Sequence, residues 1–115
     1  MVRHFLITTA LVAAIQAPTL AHAEDVRMFI RHEVTDYASW RKVYDAFDTE
    51  RRDLGVTAHA VYRLVEQPHD VTVWHEFKTI EAARAFAVSP NLKRAMQNAG
   101  VKSAPQVWFV RAVEK

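Results

Sequence analysis

Beyond residue 23 the chain carries four histidines, His32, His59, His69 and His75. An imidazole in a partly apolar cavity serves as a general base near neutral pH, and His59 has the company for it. Strand parity is expected to place His59 on one face with Phe29, Arg31, Arg63, Trp74, Glu76 and Trp108. An arginine there could hold an enolate or carboxylate, and the aromatic rings could stack a planar substrate. Such a set suits proton abstraction from an activated aromatic or polyketide-like compound, followed by oxygenation or ring closure. The same residues have a structural alternative, in which Arg31, Arg63 and Glu76 form ion pairs across a subunit interface and the tryptophans anchor it.

His32 and His75 share parity with the apolar residues of their strands. Those strands, the first and third, are expected to be parallel neighbours, so the two rings would lie close and could begin a metal site. No third ligand is evident on that face, so no metal is expected and hydrogen-bonded packing is the default. His69, beside Pro68 in a turn, is expected in solvent. The run 48–53 (DTERRD) reads as a solvated helix face. There is no cysteine, which excludes thiol chemistry and cysteine-ligated metals, and Gly55 and Gly100 are the two glycines. No phosphate loop, Gly-x-Ser-x-Gly elbow or paired-histidine zinc motif is present, so no cofactor is implied.

These groups must be positioned by regular elements. Val26 to Val34 alternates with period two, the mark of a strand with two different faces. Asp36 offers an N-cap. Tyr37, Trp40, Val43, Tyr44, Phe47 and Leu54 then recur at helical spacing until Gly55 stops the helix. Val56 to Val65 and Val71 to Lys78 read as strands joined through Gln67-Pro68-His69-Asp70. Thr79 caps a helix whose buried side is Ala83, Phe86 and Ala87. Ser89-Pro90 restarts it, with Leu92, Ala95 and Met96 inward until Gly100, and Gln106 to Val113 is the last strand. The order β-α-β-β-α-β predicts an α+β, ferredoxin-like split sheet with both helices on one face. Met28, Ile30, Tyr62, Val73, Phe77, Val107 and Phe109 are expected on the helix side, and Val61 joins His59 opposite. Two tryptophans and a phenylalanine are costly to leave in water, so two sheets are expected to meet face to face around a cavity of mixed polarity.

The segment Arg31-His32-x-Val34-x-Asp36-Tyr37-x-x-Trp40, with Phe47-Asp48 further on, resembles the dimeric α+β barrel superfamily. So do Glu76-Phe77-x-x-x-Glu81-Ala82-Ala83-x-x-Phe86 and Ser89-Pro90-x-Leu92-x-x-x-Met96-x-x-Ala99-Gly100-Val101. Most similar are the small single-domain proteins related to antibiotic-biosynthesis monooxygenases and polyketide cyclases. The resemblance implies a homodimer, an α+β barrel, whose facing sheets enclose a ligand cavity. Its members include cofactor-independent oxygenases, haem-degrading enzymes, cyclases, isomerases and stress-response dimers, so fold alone does not select the chemistry. The haem-degrading branch typically uses an axial histidine on a helix, and neither predicted helix carries one.

The N-terminus reads as a cleavable signal peptide over residues 1–23. Arg3 and His4 precede an apolar run from Phe5 to Ile15, Pro18 breaks it, and Ala21-His22-Ala23 suits a signal peptidase. The run is shorter than the roughly 20 residues a bilayer-spanning helix needs, so no membrane partner is expected after cleavage. The expected mature domain, residues 24–115, has 92 residues and lies in the periplasm or outside the cell. A chain of that size gains core by association. Without Arg3 it has 14 basic and 13 acidic side chains, interspersed, which gives nucleic-acid binding no support. The reading is an exported small-molecule-binding dimer, with a cofactor-independent monooxygenase or cyclase-like activity on an aromatic or polyketide-like compound. A non-catalytic ligand-binding or stress-response dimer is the alternative, and haem or metal binding through His32 and His75 a third.

Overall fold

The alternation that begins at Val26 makes strand β1 (Val26–Glu33), with Val26, Met28, Ile30 and His32 buried on one face. In the computed structural model, which describes residues 25–113, Asp36 then caps helix α1 (Tyr37–Ala46), its carboxylate accepting the Ser39 amide at 2.9 Å. The single helix expected up to Leu54 is two: α1 closes at Phe47, and α2 (Asp48–Asp53) follows. Phe47 turns into the core there, and the buried Arg51 guanidinium donates to the Tyr44 carbonyl, which also accepts the Phe47 amide at 3.2 Å. Gly55 has φ of 100° where the chain leaves α2, a conformation that L side chains resist.

Strands β2 (Ala58–Arg63) and β3 (Asp70–Phe77) form the hairpin, and α3 (Ile80–Ala87) and α4 (Pro90–Asn98) begin at the expected caps Thr79 and Ser89. Strand β4 (Gln106–Arg111) ends the order, and the sheet runs β2-β3-β1-β4 with every neighbouring pair antiparallel. This is the expected ferredoxin-like α+β fold. The expected leader, residues 1–23, lies outside the described residues. Among those described, no helix is long and apolar enough to cross a membrane.

Two expectations fail. Strands β1 and β3 are antiparallel, because β3 reverses in a hairpin from a strand that is itself parallel to β1. His32 therefore faces Val71 and His75 faces Met28, four positions apart along the strand, and the metal pair does not form. Strand β2 is also turned over. Its register sets His59 opposite His75, Val61 opposite Val73 and Arg63 opposite Val71, so all three point toward the helices. Tyr62 points to the other face, where its hydroxyl lies 3.4 Å from the Trp74 indole nitrogen. A one-residue shift exchanges the faces of a strand, and β2 carries apolar and polar groups on both.

The core lies between sheet and helices in two clusters. One centres on Met28, Ile30, Phe77, Phe86 and Leu92, the other on Val34, Trp40, Tyr44, Val71 and Val73. Helix cover stops short of β4. Val107 and Phe109 lie on the helix side as expected, yet every position of that strand is exposed.

Candidate functional site

A cavity of about 40 Å³ lies between the sheet and helices α1, α2 and α4. Strands β1 and β3 supply Ile30, His32, Val73 and His75, α1 supplies Trp40, Val43, Tyr44 and Phe47, α2 supplies Arg51, and Leu92, Ala95 and Met96 of α4 close it. The wall is almost wholly apolar, with one marked exception. Both ring nitrogens of His32, Nδ1 of His75 and Nε of Arg51 are buried without a hydrogen-bond partner. Each such group costs roughly 1–3 kcal/mol when left unpaired, and polar groups this deep are normally satisfied. The residues that carry them all line this cavity, which makes it the candidate place for a small polar group. The volume suits a head of a few atoms, well below the roughly 300 Å³ at which drug-sized pockets begin.

Burial sets the charge states. The His75 imidazole is pushed down to about 3, first by desolvation and then by Arg51 and His59. His32 is pushed down to about 4 by desolvation, with Asp70 opposing. Desolvation pushes the Tyr44 phenol up to about 12 against the pull of Arg51 and Arg41. His59 is lowered as well, by desolvation and then Arg51. At neutral pH the wall thus presents neutral imidazoles, a protonated phenol and the permanent charge of Arg51.

Three groups form a line from the wall outward, Tyr44, His59 and Asp48. The Tyr44 hydroxyl lies 2.5 Å from Nδ1 of His59. Because the phenol keeps its proton, it donates and Nδ1 accepts, which leaves the imidazole proton on Nε2. That nitrogen lies 3.6 Å from the Asp48 carboxylate. Burial would raise Asp48, but Arg52 and Arg51 more than offset it and hold the group ionised. His59 keeps about a third of its side-chain surface exposed and does not itself line the cavity. Tyr44 is fixed on both sides, stacked on Trp40 at 4.9 Å and covered by the Arg51 guanidinium at 3.9 Å.

A groove of about 190 Å³ between α1 and α4 shares Val43, Phe47 and Ala95 with the cavity, so these side chains separate the cavity from the exterior. Its rim carries Glu50, Asn91, Arg94 and Asn98.

Of the residues expected to form the site, Phe29, Arg31, Trp74, Glu76 and Trp108 do share the outer sheet face. They are engaged with one another and their neighbours: Phe29 stacks on Trp108 at 5.4 Å, Arg27 covers Trp74 at 3.9 Å and pairs with Glu76, and Arg31 makes two hydrogen bonds to Asp70. A concave region of about 500 Å³ on this face includes Phe29 and Glu76. His59 and Arg63 are on the opposite side of the sheet, so the expected constellation is not brought together. Arg63 covers the Tyr37 ring at 3.8 Å and donates to the Pro68 carbonyl. His69, exposed as expected, has a task in the fold: its Nδ1 accepts the Tyr37 amide at 3.0 Å. Among the described residues no group of three or more His, Asp or Glu side chains could hold a metal ion.

Arg51 is the principal site residue that the sequence pattern hides, since the run 48–53 reads as a solvated face and Arg51 is only 2% exposed. A signal exists: positions 40, 44, 47 and 51 fall on one helical stripe, and Trp40, Tyr44 and Phe47 mark that stripe as inward.

The sheet order and the order of the elements define the class of small ferredoxin-like α+β proteins. Solved structures of antibiotic-biosynthesis-monooxygenase-like proteins share this fold. SnoaB, a cofactor-independent oxygenase from Streptomyces nogalater, superposes with a TM-score of 0.67 at 15% identity, covering 81% of this chain and 97% of its own. A putative antibiotic biosynthesis monooxygenase from Caulobacter crescentus CB15 gives 0.64 at 16% identity, with 84% and 96% covered. A conserved protein from Methanosarcina mazei Go1 gives 0.67 at 14% identity, with 81% and 97% covered. No protein-family profile matches the chain, and no curated protein matches it in sequence.

Proposed function

We propose that the protein is an exported, homodimeric small-molecule enzyme of the cofactor-independent oxygenase type, acting on an electron-rich aromatic or polyketide-like compound. The observation that carries this reading is the Tyr44–His59–Asp48 line, which starts at Tyr44 on a cavity wall whose other residues hold orphaned buried polar atoms. The fold shared with SnoaB supports it.

The line explains how a proton could leave. As a substrate C–H or O–H gives its proton to the Tyr44 oxygen, the phenolic proton passes to Nδ1 of His59. The resulting imidazolium is held by Asp48 at its other nitrogen, and the low dielectric around Tyr44 keeps the phenol from standing ionised on its own. The substrate anion then reduces dioxygen. In the balanced reaction a methylene becomes a carbonyl and one dioxygen yields that carbonyl oxygen and one water. His59 thus remains the proton acceptor expected from sequence, reached through Tyr44 from the helix side of the sheet.

The test is oxygen uptake by the purified protein with a panel of hydroxyanthrones and related polyphenols, beside His59→Ala and Tyr44→Phe. Wild type should consume one dioxygen per substrate, and each variant should lose about 100-fold or more in kcat, the usual contribution of a positioned general base. One observation favours a non-catalytic binding protein instead, namely that His59 stands outside the cavity wall. Binding without oxygen uptake by wild type, and no more than a change in affinity in His59→Ala, would establish that alternative.

A further inference from the structure

We propose that the ligand of this cavity is an anion, and that Arg51 is the residue that receives its carboxylate or enolate oxygen. The inference rests on the cavity being the ligand site and adds the charge of what enters it.

Arg51 is the permanent charge on the cavity wall, and it is only partly answered. Its three nitrogens differ in their partners. Nη1 donates to the Tyr44 carbonyl at 2.5 Å and Nη2 to Asp48 at 3.3 Å, while Nε, buried, donates to nothing. Asp48 is itself shared with Arg52, which bonds its second oxygen, and more than a third of its side chain is in solvent. A buried cation whose counter-ion is divided and hydrated remains under-compensated. A ligand oxygen at Nε would satisfy the orphan donor and supply the missing negative charge together.

The rest of the wall agrees with this sign. His32 and His75 are neutral for the burial reasons given above, and a neutral imidazole offers one N–H donor. His75, which feels the charge of Arg51, has Nδ1 free and can turn a donor toward an oxygen there. Tyr44 presents a phenol, and among the described residues no carboxylate lines the cavity. A cation would meet Arg51 unshielded, and a neutral apolar group would leave that residue's Nε unpaired. The small volume suits a planar two-oxygen or single-oxygen head. The body of the ligand would lie toward the α1–α4 groove once Val43 and Phe47 change rotamer.

Benzoate and benzamide have nearly the same shape and differ in charge, which makes them the probes. Titration calorimetry at pH 7.5 and low salt on wild type, Arg51→Lys and Arg51→Gln should show benzoate binding wild type at least tenfold more tightly than benzamide. Arg51→Gln should abolish that preference, and Arg51→Lys should keep part of it. Equal affinity of the two probes for wild type overturns the anion inference while the cavity reading stands. Failure of both probes to bind overturns the cavity reading, and this inference with it. A benzoate preference unchanged in both variants overturns the assignment to Arg51 and identifies a surface site. Should Arg51→Gln fail to fold, the wild-type ratio and Arg51→Lys decide the matter.

Discussion

At the scale of single residues, His32 and His75 determine how the fold responds to acid. Both are buried beneath the helices, and both are neutral in the folded chain far below the ordinary histidine value of 6.5. The unfolded chain takes up these protons as pH falls through 6.5, whereas the folded chain resists until about 4 at His32 and about 3 at His75. Over that window the unfolded state binds more protons, so stability falls with falling pH. A tenfold difference in proton affinity is worth about 1.4 kcal/mol, so by pH 5 the loss per histidine is on the order of 2 kcal/mol. Chemical denaturation at pH 7, 6 and 5 should show a steady decline, and His75→Met should remove much of the slope. A flat profile in wild type would mean that the two rings are not buried as neutral groups. Asp70, held below the usual carboxylate range by its hydrogen bonds to Arg31, enters only at more acid pH.

At the scale of elements, much of the chain is legible because short-range chemistry decides it. Asp36, Thr79 and Ser89 cap the helices they are expected to cap, and each side chain accepts an amide three residues on. Thr79→Ala should therefore cost about 1 kcal/mol in chemical denaturation. Gly55 reads as a helix stop, and its positive φ explains why. An added Cβ there would find ordinary contacts with Ala82 and Phe77, at 3.7 and 3.8 Å. Gly55→Ala should thus lose about 1–2 kcal/mol from backbone strain alone, with the structure otherwise kept. An unchanged midpoint would show that the turn relaxes. What is not legible is what long-range pairing decides. The faces of β2 depend on the hairpin register with β3, and a strand reading Ala-His-Ala-Val-Tyr-Arg does not declare a buried side. That one inversion takes His59 away from Arg31 and Trp74 and joins it to Tyr44, so the candidate site changes sides. The break at Phe47 is hidden for a similar reason. Its local sequence suits a continuous helix, and the kink is stabilised by core contacts of Phe47 and by Arg51 reaching back to Tyr44.

At the scale of the molecule, the two faces of the sheet have separate work. The helix face encloses the cavity, and the outer face remains an exposed aromatic surface. Trp108 is 40% exposed, Val110 39% and Tyr62 55%, with Phe29 stacked beside Trp108. A contiguous patch of this kind is the surface a soluble protein covers by association, and the proposed dimer would cover it by apposing two such sheets. The ion pairs Arg27–Glu76 and Arg31–Asp70 lie on the same face within one subunit, so the sheet brings no unpaired charge of theirs to that contact. Trp108→Glu places a carboxylate in the middle of the patch. If the face is dry in the dimer, burying that charge costs several kcal/mol, and light scattering should show a monomer. The cavity has its walls within one subunit, so the monomeric variant should bind benzoate within a few-fold of wild type. A variant that stays dimeric removes this face as the interface. A monomer that no longer binds would instead put the ligand between the two sheets, because only a site shared by both subunits is lost when they part.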